Sequence, residues 1–146
     1  MKVLVFKPEL CDGCGICEET CSRTWFKEAD AEKSGIRISE APGQPGRYEA
    51  SICRQCGECI DICQTMAIWR DKRGIVRIKK KLCVGCLSCV GFCPNLAMRV
   101  HPDDVVPFKC VACGEGAKAC PTGALSIENL PDAELSETEK RLKVVA

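Results

Sequence analysis

The chain has 146 residues, 21 basic side chains against 20 acidic ones, one histidine and only 5% aromatic residues. That charge balance argues against a polyanion-binding surface, and so few aromatics leave little bulk for a conventional apolar core. Fifteen cysteines are too many for an ordinary core, and their odd number argues against a complete disulfide framework.

In chain order, Val3-Leu4-Val5-Phe6 reads as a first strand. The start MKVLVFKPE holds only four apolar residues after Lys2, too few for a signal-peptide core, and no twin-arginine pair or long apolar span follows. The expected setting is therefore reduced and cytoplasmic, with no membrane span. Next come Cys11, Cys14, Cys17 and Cys21, spaced C-x2-C-x2-C-x3-C. Residues 22–52, with the stretch SGIRISEAPGQPGRYEA, read as a loop or hairpin insertion in which Ile36-Arg37-Ile38 forms a short strand. The spacing repeats at Cys53, Cys56, Cys59, Cys63 and again at Cys83, Cys86, Cys89, Cys93. A fourth run has Cys110, Cys113 and Cys120 in register, with Gly116 where the third cysteine would stand.

The four runs begin 42, 30 and 27 residues apart. TMAIWR, PNLAMRV and PTGALSI follow the last three runs, while Ile75-Val76-Arg77-Ile78 and Val105-Val106 precede the third and fourth. Each unit reads as strand, cysteine loop, short helix, strand. Beyond Leu130, Ser136-x-x-Glu139 resembles a capping box ahead of KRLKVV, which predicts a short C-terminal docking helix over 131–146.

The cysteine spacing is that of bacterial cubane iron–sulfur loops. A cubane presents four iron corners, and three closely spaced cysteines let one loop reach three of them. The fourth cysteine is expected to open a helix and point away, toward a second cube. Such motifs work in pairs, so four runs imply up to four clusters. Structural zinc would use separated C-x2-C hooks, often with histidine, and His101 is the only histidine. Three cubanes at about −2 each bring the formal charge of +1 to about −5, which disfavours nucleic acid as a partner. The basic stretch Arg70, Lys72, Arg73, Arg77, Lys79, Lys80, Lys81 then reads as a solvated hairpin that offsets cluster charge or meets a partner. Because cluster binding supplies folding energy, the apoprotein should be largely unfolded.

The segments MKVLVFKPELCDGCGICEETCS, KKKLCVGCLSCVGFCP and KCVACGEGAKACPTGAL resemble the four-cluster, ferredoxin-like electron-transfer subunits of multi-subunit oxidoreductases. Members serve formate dehydrogenases, dimethyl sulfoxide reductase, hydrogenases, CO dehydrogenase and tungsten aldehyde oxidoreductases. The likeness spans about residues 1–128. It implies an α+β fold of tandem bacterial-ferredoxin-like units, βαβ-type and cluster-stapled, in one compact polyferredoxin. Residues 1–30 with 100–130 would form an outer unit, 31–50 an insertion, 51–99 an inner unit and 131–146 the tail. The resemblance also implies the ligand groups. Three [4Fe-4S] clusters would take Cys11, Cys14, Cys17, Cys120; then Cys53, Cys56, Cys59, Cys93; then Cys83, Cys86, Cys89, Cys63. Cys21, Cys110 and Cys113 would remain for a fourth site that lacks one ligand.

Cys56-Gly57-Glu58-Cys59 aligned with Cys113-Gly114-Glu115-Gly116 shows a replacement without deletion. Three outcomes stay open: a [3Fe-4S] cluster, a [4Fe-4S] cluster completed by water, Glu115, His101 or a partner's group, or a vacant site. No glycine-rich nucleotide loop or acid–base histidine set accompanies these motifs, so the chain is expected to relay electrons and not to catalyse alone. The expected partners are a catalytic subunit, of tungsten or molybdenum aldehyde-oxidoreductase type, and a further redox protein, in a hetero-oligomer. The alternatives are a free diffusible polyferredoxin, or a subunit of a CO dehydrogenase, formate dehydrogenase or hydrogenase complex.

Overall fold

Three two-stranded antiparallel sheets and four short helices are found in residues 2–129, the part of the chain that the computed structural model describes. The expected helix in the 131–146 tail lies outside the described residues. Strand β1 (Lys2–Phe6) pairs with β6 (Leu125–Asn129), Lys2 facing Asn129 and Phe6 facing Leu125. Strands β2 (Arg37–Glu40) and β3 (Tyr48–Ser51) form a hairpin, as do β4 (Ile68–Arg70) and β5 (Val76–Ile78). The helices are α1 (Ile16–Phe26), α2 (Glu58–Ile62), α3 (Ser88–Gly91) and α4 (Glu115–Ala119). Two-stranded sheets and one-turn helices are marginal alone, so something else must hold them.

Much of that something is sulfur. One buried cluster joins Leu4, Ile36, Ile52, Ala97 and Leu125 to Cys17, Cys21, Cys53 and Cys110. A second gathers Ile60, Ile68, Val76 and Met98, with Cys59, Cys63 and Cys89 packed against it. Cys93 packs against both. The cysteine loops thus occupy the place that aromatic side chains fill in ordinary domains.

Strands β1, β2, β4, β5 and β6 fall on the hydrophobic runs read from the sequence. Val105-Val106 does not form a strand, and Val105 stays 67% exposed. Pro102 and Pro107 flank it and remove backbone donors, so the fourth unit keeps only the bridge between Arg99 and Phe108. The helices also start elsewhere than expected. Each begins just before or at the residue preceding the third motif position, and α2 and α4 stop at Cys63 and Cys120, which cap them. The fourth cysteine therefore closes a helix where the spacing had suggested that it opens one. Only α1 runs on past its fourth cysteine, to Phe26, whose ring meets Phe108 edge-on at 5.0 Å. Pro94 and Pro121 forbid such an extension after Cys93 and Cys120.

The basic stretch folds onto the chain itself. Asp71 accepts from Arg77 Nε at 2.7 Å, Lys79 lies over the Trp69 ring, and Lys80 faces Asp104 at 3.9 Å. Among the described residues no helix is long and apolar enough to cross a membrane.

Candidate iron–sulfur sites

All four cysteine runs share one backbone conformation. The residue before the second cysteine takes positive φ each time: 74° at Gly13, 57° at Gln55, 73° at Gly85 and 50° at Ala112. So does the residue after it, at Gly15, Gly57, Leu87 and Gly114. Left-handed turns curl each loop, and Gln55, Leu87 and Ala112 accept a strain of about 1 kcal/mol each to do so. The fourth loop keeps this shape even though its third ligand is glycine.

None of the fifteen cysteines is in a disulfide. Cys11, Cys14, Cys17 and Cys120 line one cavity, and Cys63, Cys83, Cys86 and Cys89 line another. Cys59 lies within electrostatic reach of Cys53 and Cys56, while Cys93 packs against the clusters that hold Cys53 and Cys59. Cys21, Cys110 and Cys113 line a third cavity, with Gly116 on its wall. Among the described residues no three His, Cys, Asp or Glu side chains converge as a single-ion site requires.

Burial pushes the Cys17, Cys59 and Cys110 thiols up to about 12, and Cys89 to about 11. Neighbouring thiols add to this, Cys14 and Cys120 for Cys17, and Cys21 and Cys53 for Cys110. Cys63 and Cys120 behave differently. Burial would raise each, but the Thr65 and Thr122 hydroxyls and nearby backbone N–H groups outweigh it and lower both. Backbone N–H groups also reach sulfur elsewhere, from Gln55 to Cys53 at 3.3 Å, Gly35 to Cys21 at 3.3 Å, Ala97 to Cys93 at 3.3 Å and Ala112 to Cys110 at 3.4 Å. Such donors stabilise negative charge on sulfur.

The insertion builds the wall of the incomplete site. Arg99 donates to the Ser34 carbonyl at 2.7 Å, and Lys33 pairs with Glu28 and with Asp103, so residues 31–36 are pinned. Gly35 then presses on the Cys110 backbone so closely that a Cβ there would lie 2.6 Å from the Cys110 nitrogen. Ile36, 2% exposed, puts its Cδ1 2.9 Å from where a Cβ on Gly116 would stand. Its methyl crowds the place where a side chain at residue 116 would begin. The two side chains named as substitute ligands are turned elsewhere. Glu115 pairs with Lys118 at 3.1 Å, and His101 sits between Asp30 and the Asp103 amide, at 3.3 and 3.1 Å. Neither lines the cavity.

A buried cation completes the setting. Lys109, 9% exposed, donates to Gln55 Oε1 at 3.0 Å and to the Cys110 carbonyl at 3.1 Å. Both acceptors are neutral, and among the described residues no carboxylate pairs with it. Lone buried cations are costly, so anionic groups nearby are called for. Thiolate donors, curled loops, N–H groups aimed at sulfur and this cation together fit anionic iron–sulfur clusters, which supply one-electron redox couples when bound. Sequence reading missed Lys109, Gln55 and Ile36. The 42-residue first offset, against 30 and 27 for the others, was the one available signal that the insertion had work to do.

Known proteins point the same way. The 4Fe-4S dicluster domain matches residues 75–134, and the 4Fe-4S binding domain matches residues 8–25 and 50–65. The chain is 35% identical to the ferredoxin-like protein YdhX of Escherichia coli over 79% of its own length, but spans only 59% of YdhX. It is 31% identical to the protein NrfC of Escherichia coli, covering 92% of this chain and 69% of NrfC. The thiosulfate reductase electron transfer subunit PhsB of Salmonella typhi is 28% identical, with 91% of this chain and 78% of PhsB covered. In fold, a chain of the benzoyl-coenzyme A reductase active-site complex BamBC superposes with a TM-score of 0.51 at 20% identity, covering 99% of this chain and 88% of that one. The chain belongs to the family of ferredoxin-like 4Fe-4S proteins that includes NrfC and the electron-transfer subunit PhsB.

Proposed function

We propose that this chain is the electron-transfer subunit of an oxidoreductase complex, relaying single electrons between a catalytic subunit and a further redox protein. The observation that carries it is the unbroken succession of cysteine groups. Cys17 of the first group shares α1 with Cys21 and a buried cluster with Cys21, Cys110 and Cys53; Cys110 neighbours both Cys21 and Cys53; Cys59 neighbours Cys89. The groups would therefore follow one another in the order first, fourth, second, third motif, with the incomplete site inside the relay. Pairing of β1 with β6 and of α1 with α4 supports an outer unit built from residues 1–30 and 100–130 around the inner unit 51–99.

At the incomplete site the reading is a [3Fe-4S] cluster on Cys21, Cys110 and Cys113. Gly116 offers no donor and Ile36 crowds its Cβ position, while Glu115 and His101 are engaged elsewhere. The other three groups would hold [4Fe-4S] clusters in the sets given above. Among the enzyme classes that the family resemblance allows, the reading favours a catalytic partner of tungsten or molybdenum aldehyde-oxidoreductase type. Val84, Phe92 and Leu96, 71, 69 and 73% exposed in and after the third cysteine run, are apolar side chains that such a partner would cover.

Iron and sulfide analysis of anaerobically purified protein, with EPR of oxidised and reduced samples, tests this. Three cubanes and one three-iron cluster give about 15 iron atoms and a three-iron signal in the oxidised state. Colourless protein free of labile sulfide refutes the function. About 16 iron atoms without that signal refutes the assignment of the incomplete site.

A further inference from the structure

We infer that Lys109, held by Gln55, is a positioning charge that raises the reduction potentials of the two clusters on either side of it. These are the ones that Cys53, Cys56, Cys59 and Cys93, and Cys21, Cys110 and Cys113, would hold. The inference rests on the electron-transfer reading above.

Gln55 is wholly buried and joins three elements. Its amide nitrogen donates to Cys53 Sγ, its side-chain Nε2 to the Cys110 carbonyl at 3.0 Å, and its Oε1 accepts from Val76 N at 2.9 Å and from Lys109 Nζ at 3.0 Å. Arg70 donates to the Gln55 carbonyl at 2.6 Å and to the Cys56 carbonyl at 3.2 Å, fixing the loop from behind. The ammonium is thus clamped where the second and fourth loops meet. Its charge bears on the thiols of both, Cys59 in one and Cys110 in the other. Reduction adds one negative charge to a cluster, and a fixed cation nearby stabilises the reduced form in a poorly screened interior. Clusters held by the first and third loops lie outside this junction.

The neutral variant Lys109→Met leaves no acceptor orphaned. Gln55 Oε1 keeps the Val76 amide, and the Cys110 carbonyl keeps Gln55 Nε2. Potentiometric titration followed by EPR, on wild type, Lys109→Met, Lys109→Gln and Lys109→Arg, tests the role. Loss of the charge should make both flanking clusters harder to reduce, the nearer by about tenfold in equilibrium constant, about 59 mV for one electron. The two remote clusters should hold their potentials, and Lys109→Arg should stay near wild type. Unchanged potentials in both neutral variants overturn the inference, as does an equal shift of every cluster. Loss of iron from both neutral variants makes the residue an assembly element and overturns it too. A wild type without reducible clusters instead sinks the electron-transfer reading itself.

Discussion

Restoring the missing thiolate should convert the incomplete site, and the structure says what stands in the way. A Cβ on residue 116 meets Ile36 Cδ1 at 2.9 Å, several tenths of an ångström inside ordinary contact, with Leu125 Cδ1 at 3.8 Å and Cys17 Cβ at 3.9 Å. Gly116→Cys alone therefore overpacks a buried site, at a cost of about 1–3 kcal/mol. Ile36→Val removes the offending methyl and by itself costs about 0.5–1.5 kcal/mol. Combined, the two changes should be nearer neutral than their sum, because the methyl lost is the one that clashes. The assays are iron content, EPR of the oxidised protein and the unfolding midpoint in denaturant. In the double variant the oxidised three-iron signal should vanish and iron should rise by about one atom per chain. The single Gly116→Cys variant should be less stable than the double. A three-iron signal that persists in the double variant at full occupancy would refute the reasoning that Ile36 crowds the place of a side chain at residue 116.

Gly35→Ala should be worse tolerated, since its Cβ would sit 2.6 Å from the Cys110 nitrogen and 2.8 Å from the Lys109 carbonyl carbon, backbone atoms that cannot swing aside. It should lose the three-iron signal while the other clusters survive, as read by EPR. Asp71 accepts from the Arg73 and Ile75 amides at 2.8 and 3.0 Å and from Arg77, so Asp71→Asn should weaken the β4–β5 hairpin by about 1–3 kcal/mol in denaturant unfolding. Burial alone would raise the Asp71 carboxyl, but Arg77 and those amides hold it below its usual value. Its contribution is then fully present above about pH 4 and fades as pH falls through the lowered value, so wild type and variant should converge in acid. Anaerobic removal of iron with a chelator should abolish most circular dichroism, because short helices and two-stranded sheets on two small apolar clusters are marginal without it; a folded, iron-free chain would contradict this.

The chemistry was largely written in the spacing of Cys11 to Cys120, because a curled loop around a cube imposes a rigid interval on its ligands. Strands over Val3–Phe6, Val76–Ile78 and Leu125–Ile127 were equally visible as apolar runs. Their partners were not. Nothing local in Val5 says that it will face Ser126, more than a hundred residues away. The role of the insertion was hidden for the same reason, since Ile36 acquires meaning only against Gly116, and Gly35 only against Cys110. Val105-Val106 misled because local β preference was outweighed by two flanking prolines. Lys109 looked like one more basic residue; only the closure of two distant loops around it makes it a buried charge.

The pairing of β1 with β6 also sets a timetable. During synthesis β1 leaves the ribosome long before residues 125–129 exist, so its edge must wait for β6 while the residues between them are made. The β1–β6 sheet can close only after this late strand emerges, whereas the β4–β5 hairpin can close at once. Maturation should proceed from the middle of the chain outward, and nascent fragments stalled before Leu125 should expose a sticky N-terminal edge to chaperones or to one another.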